Sequence, residues 1–88
     1  MSNYSVFIKN SAKSDLKKIK QSQLKTPFLK IVETLKEDPY FPNQSFEKLQ
    51  PKHLERYSRR INHQHRVVYT ANEDSKEVFI TSAWSYYE

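Results

Sequence analysis

The sequence predicts an α+β fold in which a two-helix hairpin covers one face of an antiparallel-type sheet. Two segments in the first half place apolar residues at helical spacing. Three later segments alternate in the manner of strands. The links between those strands are only a few residues long, which makes the neighbours antiparallel.

The elements follow in the order β-α-α-β-β-β. Residues 4–9, Tyr-Ser-Val-Phe-Ile-Lys, are β-branched and aromatic and form the first strand. Asn10 and Ser11 offer a helix N-cap. Ala12, Leu16 and Ile19 then fall on one helical face, with Lys13, Lys17, Lys18 and Lys20 on the others, as far as about Gln21. Residues 21–23 make a short connection. Phe28, Ile31, Val32 and Leu35 form the i, i+3, i+4, i+7 stripe of a second helix. Thr26-Pro27 is suited to open it, Ser22 being an alternative start, and Asp38-Pro39 ends it because a residue before proline avoids the helical region. Residues 40–45 read as loop and residues 46–49 as a short extended piece. Residues 56–62 and 65–70 are strands around an Asn62-His63-Gln64 turn, residues 71–75 are a second turn, and residues 77–84 form the last strand. The sheet face away from the helices carries the arginines.

Eighty-eight residues make one domain, 1–88, with a modest core in which aromatics, 14% of the chain, supply much of the burial. No apolar run approaches the ~20 residues of a membrane span, and Met1-Ser2-Asn3-Tyr4 leads into a strand rather than a secretory leader, so no membrane is expected. The absence of cysteine excludes disulfides, thiolate catalysis and cysteine zinc sites, and agrees with a reducing cytoplasm. Glycine is also absent, although a usage of about 7% would give roughly six. Glycine-rich phosphate loops and dinucleotide folds are thereby excluded, so any phosphate must be held by side chains. Fifteen Lys and Arg against ten Asp and Glu give a net charge of +5, which suits a nucleic acid or an acidic protein.

The chemistry concentrates between Glu47 and Tyr69, with Tyr86 and Tyr87 at the end of the chain. Cleavage of RNA without metal needs a base for the 2′-hydroxyl, cations for the charge gathering on phosphate, and an acid for the leaving 5′-oxygen. Glu47 is the best-placed carboxylate. Arg60 and Arg66 are candidate phosphate clamps, since a guanidinium fork matches phosphate oxygens. Pleat alternation sends Arg59 and Arg60 to opposite faces, so the two cannot share one task. Tyr86 and Tyr87 are suited to donate a proton or stack on a base. Each residue also has a plainer reading: Glu47 and the arginines as surface ion pairs, the tyrosines as packing, and His63 and His65 as turn residues. A metal on His63 and His65 lacks a third ligand at a readable spacing, and no cofactor is implied.

Glu47-x-Leu49, Tyr57-Ser58-Arg59-Arg60-Ile61 and His65-Arg66-Val67-Val68-Tyr69, followed by a tyrosine-bearing C-terminus, resemble the YoeB toxins within the RelE superfamily, over nearly the whole chain. The resemblance implies a RelE-like fold and a toxin that enters the ribosomal A site and cuts the mRNA there. It places the general base on Glu47, the phosphate-stabilising arginine on Arg66 with Arg60 in support, and the C-terminal tyrosine on Tyr87. The family's histidine acid falls on Tyr86. His65 and His53 are alternative donors if the fold brings them close. Gln50 occupies a position that is commonly basic, and with Arg59, Arg60 and His65 completes the candidates for RNA contact. Glu55 replaces a glycine before the strand. An acidic YefM-like antitoxin would cover the basic face, operator DNA would be bound only through that complex, and a homodimer stays open. The rival reading is a non-catalytic basic module that binds RNA or the ribosome, or an antitoxin-dependent corepressor. A DNA-binding regulator acting alone lacks a recognition helix.

Overall fold

The computed structural model describes residues 3–44, 46–50, 53, 55–62 and 65–83. Along them run β1 (Ser5–Ile8), α1 (Asn10–Lys20), α2 (Lys25–Glu37), β2 (Glu47–Lys48), β3 (Arg56–Arg60), β4 (Arg66–Asn72) and β5 (Glu77–Ser82). The strands lie in the order β1-β5-β4-β3-β2. From β5 to β2 every pairing is antiparallel, as the short turns require. β1 instead runs parallel to β5, with Val6 beside Val78 and Ile8 beside Ile80, so the sheet is mixed. The chain leaves β1 through both helices, enters the sheet at its far edge, and returns strand by strand to β1.

α1 begins at Asn10, one residue earlier than a cap at that position would allow. Lys9 is the extended N-cap and makes no side-chain cap bond. The Ser11 hydroxyl donates instead to the Thr81 carbonyl at 2.8 Å, tying the helix to β5. The Ser22 hydroxyl turns the chain between the helices, donating to the Ile19 carbonyl at 2.9 Å and accepting the Leu24 amide at 3.0 Å. Pro27 sits in the first turn of α2, where its missing N–H has no helical partner to lose. Asp38, extended before Pro39, ends the helix and accepts the Tyr40 amide on its carboxylate.

Ala12 and Ile19 of α1 and Phe28, Ile31 and Leu35 of α2 pack on Tyr57, Val67, Tyr69, Val78 and Ile80 of the sheet. These sheet residues share one face by register, because directly paired residues point the same way and neighbours along a strand point opposite ways. The other face carries Phe7 stacked on Phe79, then Thr70, Arg66, Ser58, Arg60 and Glu47.

Without glycine, three left-handed backbone positions among the described residues fall to Gln44 (φ 56°), Glu55 (φ 51°) and Lys76 (φ 56°). A side chain with a Cβ costs roughly 1 kcal/mol in this region. Glu55→Gly, at an exposed site, is therefore expected to raise stability by about 0.5–1 kcal/mol, read as a higher urea midpoint at unchanged slope.

Glu73, at the β4–β5 turn, gathers three elements. Its carboxylate accepts the Tyr40 hydroxyl at 2.5 Å, the Tyr4 hydroxyl at 2.9 Å and the Lys76 ammonium at 3.1 Å. The Tyr40 hydrogen bond, then Lys76 and Tyr4, hold it below its ordinary value of 4.5. A carboxylate depressed in the folded state stabilises above its unfolded value and ceases to as pH falls through the folded one. The thermal midpoint should thus drop as pH falls below about 4.5, and Glu73→Gln should remove part of that drop.

Candidate functional site

The site is built on β2, β3 and the start of β4. β2 pairs antiparallel with β3 so that Glu47 lies opposite Ser58. β3 pairs with β4 so that Arg60 lies opposite Arg66. Ser58 and Arg60 are two residues apart on one strand, and all four therefore share the face away from the helices. Arg66 Nη1 donates to Glu47 Oε1 at 2.9 Å and to Ser58 Oγ at 3.2 Å. The Glu47 side chain is 58% exposed and that of Arg66 19%, so a carboxylate open to solvent lies over a recessed guanidinium. Such a pair adds little to stability, a median of about 0–1 kcal/mol. Arg60 stands exposed on the same face. Like charges directly across a sheet repel, so Arg60 and Arg66 together form a surface suited to an anion.

Other predicted residues fall elsewhere. Arg59, proposed from sequence as an RNA contact, does not reach the surface: it is 0% exposed. Its Nε donates to the Tyr69 hydroxyl at 3.0 Å, Nη1 to the Asn43 carbonyl at 2.9 Å and to Asn43 Oδ1 at 2.8 Å, and Nη2 to the Pro39 carbonyl at 2.9 Å. The Phe46 ring lies 4.8 Å away. Pleat alternation separates Arg59 from Arg60 as expected, and the loop after α2 closes over Arg59. Burial pushes the Tyr69 hydroxyl up to about 12, an effect that the neighbouring Arg59 opposes.

His65 closes the β3–β4 turn through its backbone, its carbonyl accepting the Ile61 amide at 2.9 Å and its amide donating to Asn62 Oδ1 at 2.8 Å. Gln50 is exposed, and its carbonyl accepts Arg56 Nη2 at 2.9 Å. His53 is exposed. Tyr86, Tyr87 and His63 lie outside the described residues. Sequence reasoning missed Ser58, a fully buried hydroxyl beneath the ion pair. Its shared parity with Arg60 was the available signal.

No group of three or more metal-ligating side chains occurs among the described residues. A cleft of about 500 Å³ lies around Tyr40, Glu55, Tyr57, Ala71, Asn72, Glu73 and Asp74. It shares no residue with the Glu47–Arg66 pair, and its three carboxylates make it the wrong sign for phosphate. Among the described residues, the exposed patch on β2–β4 has the cations to suit a phosphate.

No helix among the described residues is long and apolar enough to cross a membrane. A comparison with curated proteins finds no match. Among solved structures, the YoeB dimer from Staphylococcus aureus is similar at 25% identity and a TM-score of 0.82, over 98% of this chain and 100% of that one. The YoeB-YefM complex from the same organism is similar at 25% identity and a TM-score of 0.78, over 96% and 98%. A YoeB/ParE toxin from Agrobacterium tumefaciens shares the fold at 18% identity and a TM-score of 0.84, over 94% and 99%. Residues 4–87 match the family model described as "YoeB-like toxin of bacterial type II toxin-antitoxin system", and with the shared α+β fold this places the chain in the YoeB toxin family.

Proposed function

We propose that this single-domain toxin is a metal-independent endoribonuclease that cuts mRNA in the ribosomal A site and so stops translation. One observation carries the reading: the Glu47 carboxylate lies 2.9 Å from the Arg66 guanidinium on an exposed face shared with Arg60. In this scheme Glu47 takes the proton of a 2′-hydroxyl, and the oxygen attacks the adjacent phosphorus. Arg66, with Arg60 beside it, holds the non-bridging oxygens as charge builds. The 5′-oxygen leaves with a proton from the C-terminal tail, where Tyr86 is the candidate donor and Tyr87 the candidate stacking group. The products are a 2′,3′-cyclic phosphate and a 5′-hydroxyl. The phosphate lies between Glu47 and Arg66, so substrate separates the pair seen in the free protein.

Among the described residues the patch lies open to solvent at Glu47, and the ribosome would complete the site by presenting the mRNA in a fixed geometry. The proposed partners are the ribosome with its mRNA and a YefM-like antitoxin that covers the basic face. Operator DNA would be reached only through the antitoxin complex, a homodimer would resemble that of the S. aureus relative, and the site of action would be the cytoplasm.

Primer extension on mRNA under translation, with the unaltered chain and with Arg66→Ala, tests this. New 5′ ends inside the A-site codon, lost in Arg66→Ala, are expected. Ribosome stalling without strand breaks would overturn the nuclease reading in favour of a binding module.

A further inference from the structure

We propose that Arg59 is the positioning residue for Glu47: buried on the helix side of β3, it fixes the loop that delivers Glu47 to the opposite side. The inference rests on the nuclease reading for its catalytic consequence only. β2 is two residues long and lies at the sheet edge, so it cannot by itself hold a side chain in one place. What holds it is the segment before it. Pro39 and Asn43 are anchored to Arg59 through the Pro39 carbonyl, the Asn43 carbonyl and the Asn43 side chain. The Phe46 ring, one residue before Glu47, lies over the guanidinium and stacks on Tyr57. The Phe46 amide bonds the Asn43 carbonyl at 3.0 Å, and the Arg60 amide bonds the Gln44 carbonyl at 2.8 Å.

Among the described residues no carboxylate lies within ion-pair distance of Arg59. Its acceptors among the described residues are neutral, and most belong to this loop. A buried cation is costly unless its hydrogen bonds are met. Arg59 therefore rewards only the loop placement that presents those carbonyls, and that placement sets where Glu47 emerges opposite Ser58. The Tyr69 hydroxyl completes the arrangement, accepting from Arg59 Nε and donating to the Pro39 carbonyl. The two neighbouring arginines thus divide the work: one faces the substrate side and the other holds the base in register.

Asn43→Ala is the primary test, because Asn43 is exposed at the surface and its loss leaves the core packed. Two readouts are taken. Hydrogen exchange at the Arg60 and Leu49 amides should speed up about tenfold or more in Asn43→Ala, with the Ile80 amide unchanged, since only local opening is eased. Single-turnover cleavage should slow by about 10- to 100-fold at unchanged ribosome affinity, the scale of a misplaced catalytic group. In a Glu47→Gln background Asn43→Ala should cause no further slowing, and Arg59→Lys should behave as a partial loss in both readouts. Unchanged exchange at Arg60 and Leu49 would overturn the positioning role, as would a slowing of equal size in the Glu47→Gln background. A chain that never cuts mRNA but shows the exchange effect would overturn the nuclease reading while leaving the Arg59 clamp intact.

Discussion

Replacing Glu47 by Gln is expected to lower the single-turnover rate of mRNA cleavage by about 10²- to 10⁴-fold, the range that a positioned general base contributes. The amide keeps the shape of the side chain and its hydrogen bond to Arg66, but cannot take a proton. Half-exposed, the pair contributes at most about 1 kcal/mol to stability, so folding should be almost unchanged. The measurement is cleavage of ribosome-bound mRNA beside a urea denaturation curve. A variant that cuts at the parent rate would remove Glu47 from the mechanism and pass the role to another group.

The second large effect falls on stability. Arg59→Ala is expected to cost about 3–5 kcal/mol, as a buried side chain is truncated and its acceptors are left unmet. The affected acceptors are the Pro39 and Asn43 carbonyls, Asn43 Oδ1 and the Tyr69 hydroxyl. Small domains hold only about 5–15 kcal/mol in total, so this is a large share. Arg66→Ala provides the control. Its partners are an exposed carboxylate and one serine hydroxyl, and it should lose about 1–2 kcal/mol at most while abolishing cleavage. Two arginines seven residues apart are thus expected to fail in opposite ways, one by unfolding and one by losing chemistry. Equal urea midpoints for the two variants would contradict this assignment.

Much of the architecture was legible because its causes are local. The stripe Phe28, Ile31, Val32, Leu35 marks α2, and Asp38-Pro39 marks its end. The short links after β3 and β4 force antiparallel neighbours. The parallel pairing of β1 with β5 was not legible. It joins Ser5 to Glu77 across most of the chain, and no local pattern names so distant a partner. The unused cap is similar: Ser11 has the chemistry of a cap, but β5 brings the Thr81 carbonyl within reach and takes the hydroxyl.

The sequence by itself determined that Ser58 and Arg60 share a face and that Arg59 takes the other, because a strand alternates with period two. It also determined that any phosphate would have to be held by side chains, because the sequence has no glycine to build a phosphate loop. Only the tertiary structure decided which of the two arginines is buried and which is left to act. Alternation has a period but no sign: it states that neighbours oppose each other, not which of them faces inward. That choice was made by the helices and by Pro39 and Asn43, whose neutral carbonyls gave Arg59 enough hydrogen bonds to leave water, while β2 brought a carboxylate to the side of Arg66.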